Sequence, residues 1–289
     1  MARVSEKNVM RPAFKNTATD KEPGMARRAC GFTLIEMAIV LLIVTLLLGG
    51  LLMPLSAQLE QHNTSETQKL LEDAKEALIG FALANGRLPC PAAPNSADGL
   101  ESFTSTGNTS NGICSNFFDG LLPAATLGIT PVDNNGLALD AWGLKQNRIR
   151  YAVSNLSDDG GASYVFTKVD GMKTATDGID TGMSYVGKKN LLYICASGTG
   201  ITAADCGTAQ ELTNKALIVV YSVGKNAATS GTGIDEAANP NPHSPNNDRV
   251  FVSHVPSPAT APNGEFDDLV TWLSPNILFN RMVAAGRLP

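Results

Sequence analysis

Hydrophobic and polar positions divide this chain into three stretches. Residues 1–31 are polar and basic. An apolar run comes next. From Met37 to Leu55 its 19 residues, MAIVLLIVTLLLGGLLMPL, carry no charge. At about 1.5 Å per residue, a helix of this length nearly crosses the roughly 30 Å hydrocarbon core of a bilayer. A helix on a soluble core keeps a polar stripe, and this run has only Thr45. Beyond it, apolar or small residues recur at Leu70, Leu71, Ala74, Ala77, Leu78, Phe81 and Ala82. Spacings of three and four place them on one helical face. Lys69, Glu72, Lys75 and Glu76 form the solvated side, and His62 lies in the polar stretch before them. Asn85-Gly86 and Pro89 end the pattern, with Gly86 suited to a left-handed cap. The pattern predicts one long helix over about 32–85, apolar all round in its first half and amphipathic in its second. Pro54 and the Gly49-Gly50 pair are positions for a kink.

Shorter signals fill the remainder. Residues 95–116 are rich in Ser, Thr, Asn and Gly and read as a surface loop. Short stretches with β-branched or aromatic residues predict strands at 148–153, 163–169, 191–196, 216–223, 249–255 and 269–273. A last helix is predicted over 274–285, with Ser274 as cap, Pro275 in the first turn and Gly286 at the end. The string Gly-Arg-Leu-Pro occurs at 86–89 and at 286–289, each time after a helix, and reads as two similar helix exits. The fold class expected is α+β: a long N-terminal helix packed on a small antiparallel sheet with extended loops, then a short C-terminal helix.

Charge gives this pattern a direction. The 289 residues carry a net −5, but 1–31 alone carry +4, leaving −9 for the remainder. An acidic total argues against a nucleic-acid partner, since phosphate binding needs a basic face. The Lys/Arg excess precedes the apolar run. The positive-inside tendency then keeps 1–31 in the cytoplasm and exports the chain beyond the run. Arg27-Arg28 invites a twin-arginine reading and Cys30 a lipoprotein reading. Paired arginines are common in basic flanks, however, and a lipidated cysteine comes after its apolar run. The stronger competitor is an ordinary secretory signal cut near Ser56-Ala57, which would release a soluble periplasmic binding protein. The apolar region of such a signal is usually about 7–15 residues. This run is longer, and it has an acid at its entrance.

That acid is Glu36, in Gly31-Phe32-Thr33-Leu34-Ile35-Glu36. A carboxylate beside a membrane core is costly and usually has a partner. The string RACGFTLIEMAIVLLIV resembles the processing site of type IV prepilins and type II secretion pseudopilins. The resemblance implies that a membrane peptidase cuts between Gly31 and Phe32 and then methylates the new amine of Phe32. Glu36 becomes the fifth residue of the mature chain, where the family places its assembly glutamate. Against the Phe32 amine of a neighbour it would neutralise two charges in an apolar bundle. The domains implied are a leader over 1–31, a transmembrane half-helix over 32–57, an amphipathic half over 58–86 and a periplasmic domain over 87–289. The partners implied are other pilin or pseudopilin subunits, the prepilin peptidase, an inner-membrane assembly platform and membrane lipid. A mature chain of 258 residues is long for a major subunit, which favours a minor pilin or accessory pseudopilin. Two shorter strings are also similar to pseudopilin elements. Asp140-Ala141-Trp142-Gly143, with Arg150-Tyr151 after it, is one; Val220–Gly224 with Asp267-Asp268 is the other.

Five cysteines is an odd count, and removal of Cys30 with the leader leaves four. An even number in an exported domain favours disulfides. Cys90, Cys114, Cys195 and Cys206 allow three pairings. Cys90–Cys114 with Cys195–Cys206 is favoured because each closes a short loop. No C-x-x-C occurs and no histidine lies near either pair, which argues against a metal there. In major pseudopilins an acidic loop comparable to 225–265 binds Ca²⁺, an ion that takes six to eight oxygens. Asp235, Glu236, Asp248, Asp267 and Asp268 are the candidate ligands, although the inserted NPNPHSPNND departs from the family pattern. No other cofactor is expected. There is no H-E-x-x-H, G-x-S-x-G, P-loop or dinucleotide fingerprint. Ser253 and His254 with Asp267 or Asp268 form a candidate Ser/His/Asp grouping, of a kind that almost any chain can offer. The expectation is a non-enzymatic filament subunit.

Overall fold

The computed structural model describes residues 31–157, 162–174, 191–229, 233–239 and 248–288, without the side chains of 50–55. Residues 1–30 of the expected leader, Arg27, Arg28 and Cys30 among them, lie outside the described residues, as does most of the NPNPHSPNND insertion. The first helix, α1, runs Leu34–Asn85. Gly86 ends it with φ +67°, its N–H donating to the Ala82 carbonyl at 2.8 Å. The chain divides inside α1 into residues 1–53 and residues 54–289.

In the first unit every described residue from 31 to 49 is exposed, including Leu34, Leu46 and Leu42. Among the described residues, no helix is long and apolar enough to cross a membrane; the described side chains of the apolar run stop at Gly49.

In the second unit α1 buries a stripe of Thr67, Leu71, Ala74, Leu78 and Ala82, with Ile79 beside it. Ala77 and Phe81, expected on this face, sit half-buried at its margin. Thr67 lies outside the apolar pattern. It is buried because its hydroxyl accepts the Ala141 N–H at 3.1 Å. The apolar members of the stripe share one core cluster with Tyr151, Val153, Ile218, Val220 and Leu273. Each large apolar side chain buried this way contributes roughly 1.5–3 kcal/mol.

The strands are β1 Gly120–Leu121, β2 Arg150–Val153, β3 Leu192–Cys195, β4 Glu211–Ala216, β5 Ile218–Ser222, β6 Val250–Val252 and β7 Leu269–Leu273. Four form an antiparallel sheet of order β1-β2-β5-β7. The other three form a second sheet of order β4-β3-β6, in which β3 runs antiparallel to β4 and parallel to β6. The single antiparallel sheet expected from sequence is therefore two sheets, one of them mixed. A parallel pair needs a long crossover, and the chain passes through β4, β5 and a short helix between β3 and β6.

One expected strand does not form, and one strand forms that the pattern does not predict. Residues 163–169 form a turn with one isolated bridge, Ser157 to Tyr164. The Tyr164 and Val169 N–H groups donate to Asn111 and Thr109, and the Thr167 hydroxyl donates to Gly112. These groups are engaged by the neighbouring loop rather than by a ladder. Conversely, β4 is not among the strands that the pattern predicts. Its sequence ELTNKA is polar and all its residues but Ala216 are exposed or half-buried, as suits an edge strand.

Short helices α2 Ala124–Leu127, α3 Gly171–Thr174 and α4 Ile234–Ala238 punctuate the loops, and α5 covers Pro275–Ala284. Ser274 has the extended backbone of an N-cap, but its hydroxyl makes no cap bond. The two Gly-Arg-Leu-Pro exits do match: Gly86 and Gly286 both have φ +67°, and Leu88 and Leu288 are both buried. Their arginines differ. Arg87 is buried in an ion pair with Glu101 at 2.5 Å, whereas Arg287 donates to the Ala84 carbonyl at 3.1 Å.

Asp140 anchors the Asp-Ala-Trp-Gly string. Its carboxylate accepts from the Trp142 N–H, the Asn147 amide and the Ser222 hydroxyl on β5. Burial raises its pKa despite these bonds.

Candidate functional site

Gly31, Phe32 and Thr33 precede α1 in no regular structure, and Phe32 is 77% exposed. Thr33 occupies the N-cap position. Its carbonyl accepts the Met37 N–H at 3.1 Å, so Thr33 supplies the first acceptor of the helix. Its hydroxyl accepts the Glu36 N–H at 3.3 Å, and Glu36 Oε2 accepts the Thr33 N–H at 3.4 Å. This reciprocal pair is a capping box, which satisfies two donors that a helix start otherwise leaves open. The Glu36 charge also lies in the first turn, where the helix dipole favours an anion. The sequence signal for this box is T-x-x-E. Treating Glu36 only as a charge beside lipid overlooks it.

A second site lies in the other unit. Carboxylate oxygens of Glu236, on α4, and of Asp267 and Asp268, just before β7, lie within 4.8 Å of one another. Glu236 Oε1 accepts from the Asn226 amide at 2.8 Å and the Asp267 N–H at 3.1 Å. Asp267 Oδ2 accepts the Lys225 N–H at 3.0 Å, and Asp268 Oδ2 accepts from Asn239 at 2.7 Å. Two buried oxygens here, Glu236 Oε2 and Asp267 Oδ1, have no hydrogen-bond partner. Gly224, with φ +66°, makes room for the second: a Cβ there would fall 2.1 Å from Asp267 Oδ1. Burial first, then the neighbouring carboxylates, push Asp267 up to about 7 and Asp268 up to about 8. Asn239, which also bonds the N–H and carbonyl of Val252, belongs to this site without any signal in the sequence.

The other two acids expected here belong elsewhere. Asp235 accepts from Ser197, Asn263 and His254 at 3.0–3.1 Å and from the Gly198 N–H. Burial opposes its charge, but these bonds together hold its pKa below the usual value. Asp248 accepts the Val250 N–H at 3.1 Å, so both acids are engaged in holding loops.

The Ser253, His254 and Asp267 or Asp268 grouping does not form. His254 stacks on Phe266 at 3.9 Å and turns to Asp235. Ser197 bonds the same carboxylate rather than the imidazole, so the base and hydroxyl of a nucleophilic triad are not joined there.

Cys90 and Cys114 are disulfide-bonded with Cα atoms 5.3 Å apart, and Cys195 and Cys206 likewise at 5.6 Å. The first bond ties the α1 exit to the 95–116 loop. The second closes the β3–β4 connection.

Residues 26–52 match the family model described as the prokaryotic N-terminal methylation motif. The chain therefore carries the signal of type IV prepilins and pseudopilins, and this match spans Gly31, Phe32, Thr33 and Glu36. No curated protein and no solved structure matches the chain.

Proposed function

We propose that the chain is a non-enzymatic filament subunit, a minor type IV pilin or a pseudopilin of type II secretion. The observation that carries this reading is the methylation motif set on the start of a helix with exposed apolar side chains. In this reading residues 1–31 are a cytoplasmic leader that the prepilin peptidase removes between Gly31 and Phe32, and Phe32 is then N-methylated. Residues 32–57 hold the subunit in the inner membrane, the uncharged run Met37–Leu55 lying in lipid. Residues 58–86 carry the periplasmic domain of 87–289. An assembly platform would move the subunit from lipid into a pilus or pseudopilus, where Glu36 meets the Phe32 amine of a neighbouring subunit. That contact neutralises both charges away from water.

We also propose that Glu236, Asp267 and Asp268 hold a divalent cation of the Ca²⁺ type. The donors are hard carboxylate oxygens, as Ca²⁺ requires, and two of them are buried without a partner. The ion would brace α4 against the segment leading into β7; it has no chemical step.

Mass spectrometry of the mature N-terminus tests the main reading. An N-methylated Phe32 is expected. A start near Gln58 would overturn it and favour a soluble periplasmic protein released by an ordinary signal peptidase. As a second test, Glu36→Ala is expected to reduce incorporation into filaments while still permitting cleavage.

A further inference from the structure

The scissile bond expected between Gly31 and Phe32 lies two residues before the first residue of α1. This closeness poses a physical problem. A peptidase cleft takes up substrate main chain in extended form, through the same N–H and carbonyl groups that a helix engages internally. Gly31 is itself an acceptable helix N-cap, since glycine ranks with threonine at that position. A helix capped at Gly31 would begin at Phe32. The Gly31 carbonyl, which is the scissile one, would then be the first helical acceptor and take the Ile35 N–H. Two starting points two residues apart therefore compete, and one of them closes the cleavage site.

In the structure the helix starts at the later point. Thr33 takes the Met37 N–H on its carbonyl and the Glu36 N–H on its hydroxyl, while Glu36 returns a carboxylate to the Thr33 N–H. Gly31 and Phe32 stay outside, and Phe32 is exposed. A capping box satisfies two donors where a bare glycine cap has no side chain to satisfy any. Its bonds therefore weight the competition toward Thr33.

We propose that Thr33 is a positioning residue for processing: its capping box with Glu36 stops the helix short of the Gly31–Phe32 peptide and leaves that peptide out of the helix, free for the peptidase to take up in extended form. This rests on the processing reading above. It assigns Glu36 a role before cleavage in addition to its role after it. It also assigns the threonine between the two motif residues a function that needs its hydroxyl.

The test compares wild type, Thr33→Val and Thr33→Ser as full-length, leader-bearing chains in detergent, cleaved by membranes that contain the prepilin peptidase. Valine keeps the shape and loses the hydroxyl; serine keeps the hydroxyl. If the helical form must open before binding, the closed fraction raises KM and leaves kcat alone. Thr33→Val is expected to raise KM, by less than the roughly fivefold that a cap of ordinary strength could give, because the wild type is mostly in the open form, with kcat unchanged and Thr33→Ser close to wild type. Cα chemical shifts of Phe32 and Thr33 should turn helical in Thr33→Val alone. Cleavage of wild type and Thr33→Val with equal KM, or unchanged shifts in Thr33→Val, overturns the proposal. A wild-type chain left uncut at Gly31 overturns the processing reading instead, and the shifts then report the helix start independently of the peptidase.

Discussion

Along α1 two segments of similar helical propensity meet opposite fates. From 31 to 49 every described residue is exposed, and the large side chains are almost all apolar. From Thr67 to Ala82 a narrow stripe is fully buried, while Glu72, Asp73 and Glu76 face solvent. The second segment has fewer apolar residues and buries its stripe within its own chain, against β2, β5 and β7. The first has more and buries none of those described. An amphipathic stripe is matched to one sheet face. A helix that is apolar all round has no solvent side to present and needs cover on every side. Exposed apolar surface of that extent marks contact with a membrane or with other protein. The difference supports a division of labour: the second segment holds the domain, and the first makes the external contact.

Cutting the same methylene groups from both segments tests this difference most directly. Leu78→Ala, at a fully buried position, is expected to cost about 2–5 kcal/mol in urea unfolding of the detergent-solubilised chain. Leu42→Ala, at an exposed one, should stay within about 0.5 kcal/mol. An equal loss at Leu42 would mean that the first segment is packed against its own chain after all.

Next in size is the staple beside the second segment. Replacing Cys90 and Cys114 by serine is expected to cost about 3 kcal/mol by calorimetry. The Cys195–Cys206 pair should cost somewhat less, because it closes 11 residues rather than 24. If the shorter loop proved the costlier, the loop-entropy account would be wrong for this domain.

A smaller effect concerns the acidic cluster and its pH dependence. Asp267 and Asp268 hold their protons to about pH 7 and about pH 8, whereas in the unfolded chain they release them near the ordinary carboxylate value. Between those limits the folded state binds more protons than the unfolded one. Stability conferred at low pH is therefore lost as pH rises through the folded pKa values. Without added cation, the melting temperature should fall from about pH 4 to about pH 8. Ca²⁺ should restore a few degrees, most at the alkaline end, and Glu236→Gln should remove that response. At roughly 2–4 °C per kcal/mol for a domain of this size, scanning calorimetry resolves the change. A melting temperature that ignores Ca²⁺ at pH 8 sinks the cation site.

The smallest perturbation is Glu36→Gln. Glutamine still serves at the third position of a capping box, so the helix start should stay at Leu34 by Cα shifts while the charge proposed for filament pairing is gone. Loss of filament incorporation with an unmoved helix start would separate the two uses of this side chain; unimpaired incorporation would remove the charge-pairing mechanism.

Much of this is legible in sequence because it is local. The long helix, its Gly86 exit and the C-terminal helix arise from spacing and cap chemistry within a few residues. Most strands with concentrated β-branched residues can be read for the same reason. The polar edge strand β4 and the turn at 163–169 escape such a reading because their conformation depends on distant partners: β3 in one case, the 108–112 loop in the other. Asp235 and Asp248 look equivalent to Asp267 in the sequence. They differ because Asp235 lies under Ser197, Asn263 and His254, which no linear pattern reveals.

Residue type and short spacing alone carry the N-terminal processing motif, the change of α1 from apolar to amphipathic, and the four cysteines that follow the motif. Each depends on residue type and short spacing, and helical periodicity translates spacing directly into a face. The two-sheet arrangement and the set of acids that share a site come from long-range folding, and the closing of the Thr33–Glu36 box is seen in the structure of the helix start. Those depend on the chain bringing remote groups to hydrogen-bond distance, or, for the box, on whether the backbone caps the helix at Gly31 or at Thr33.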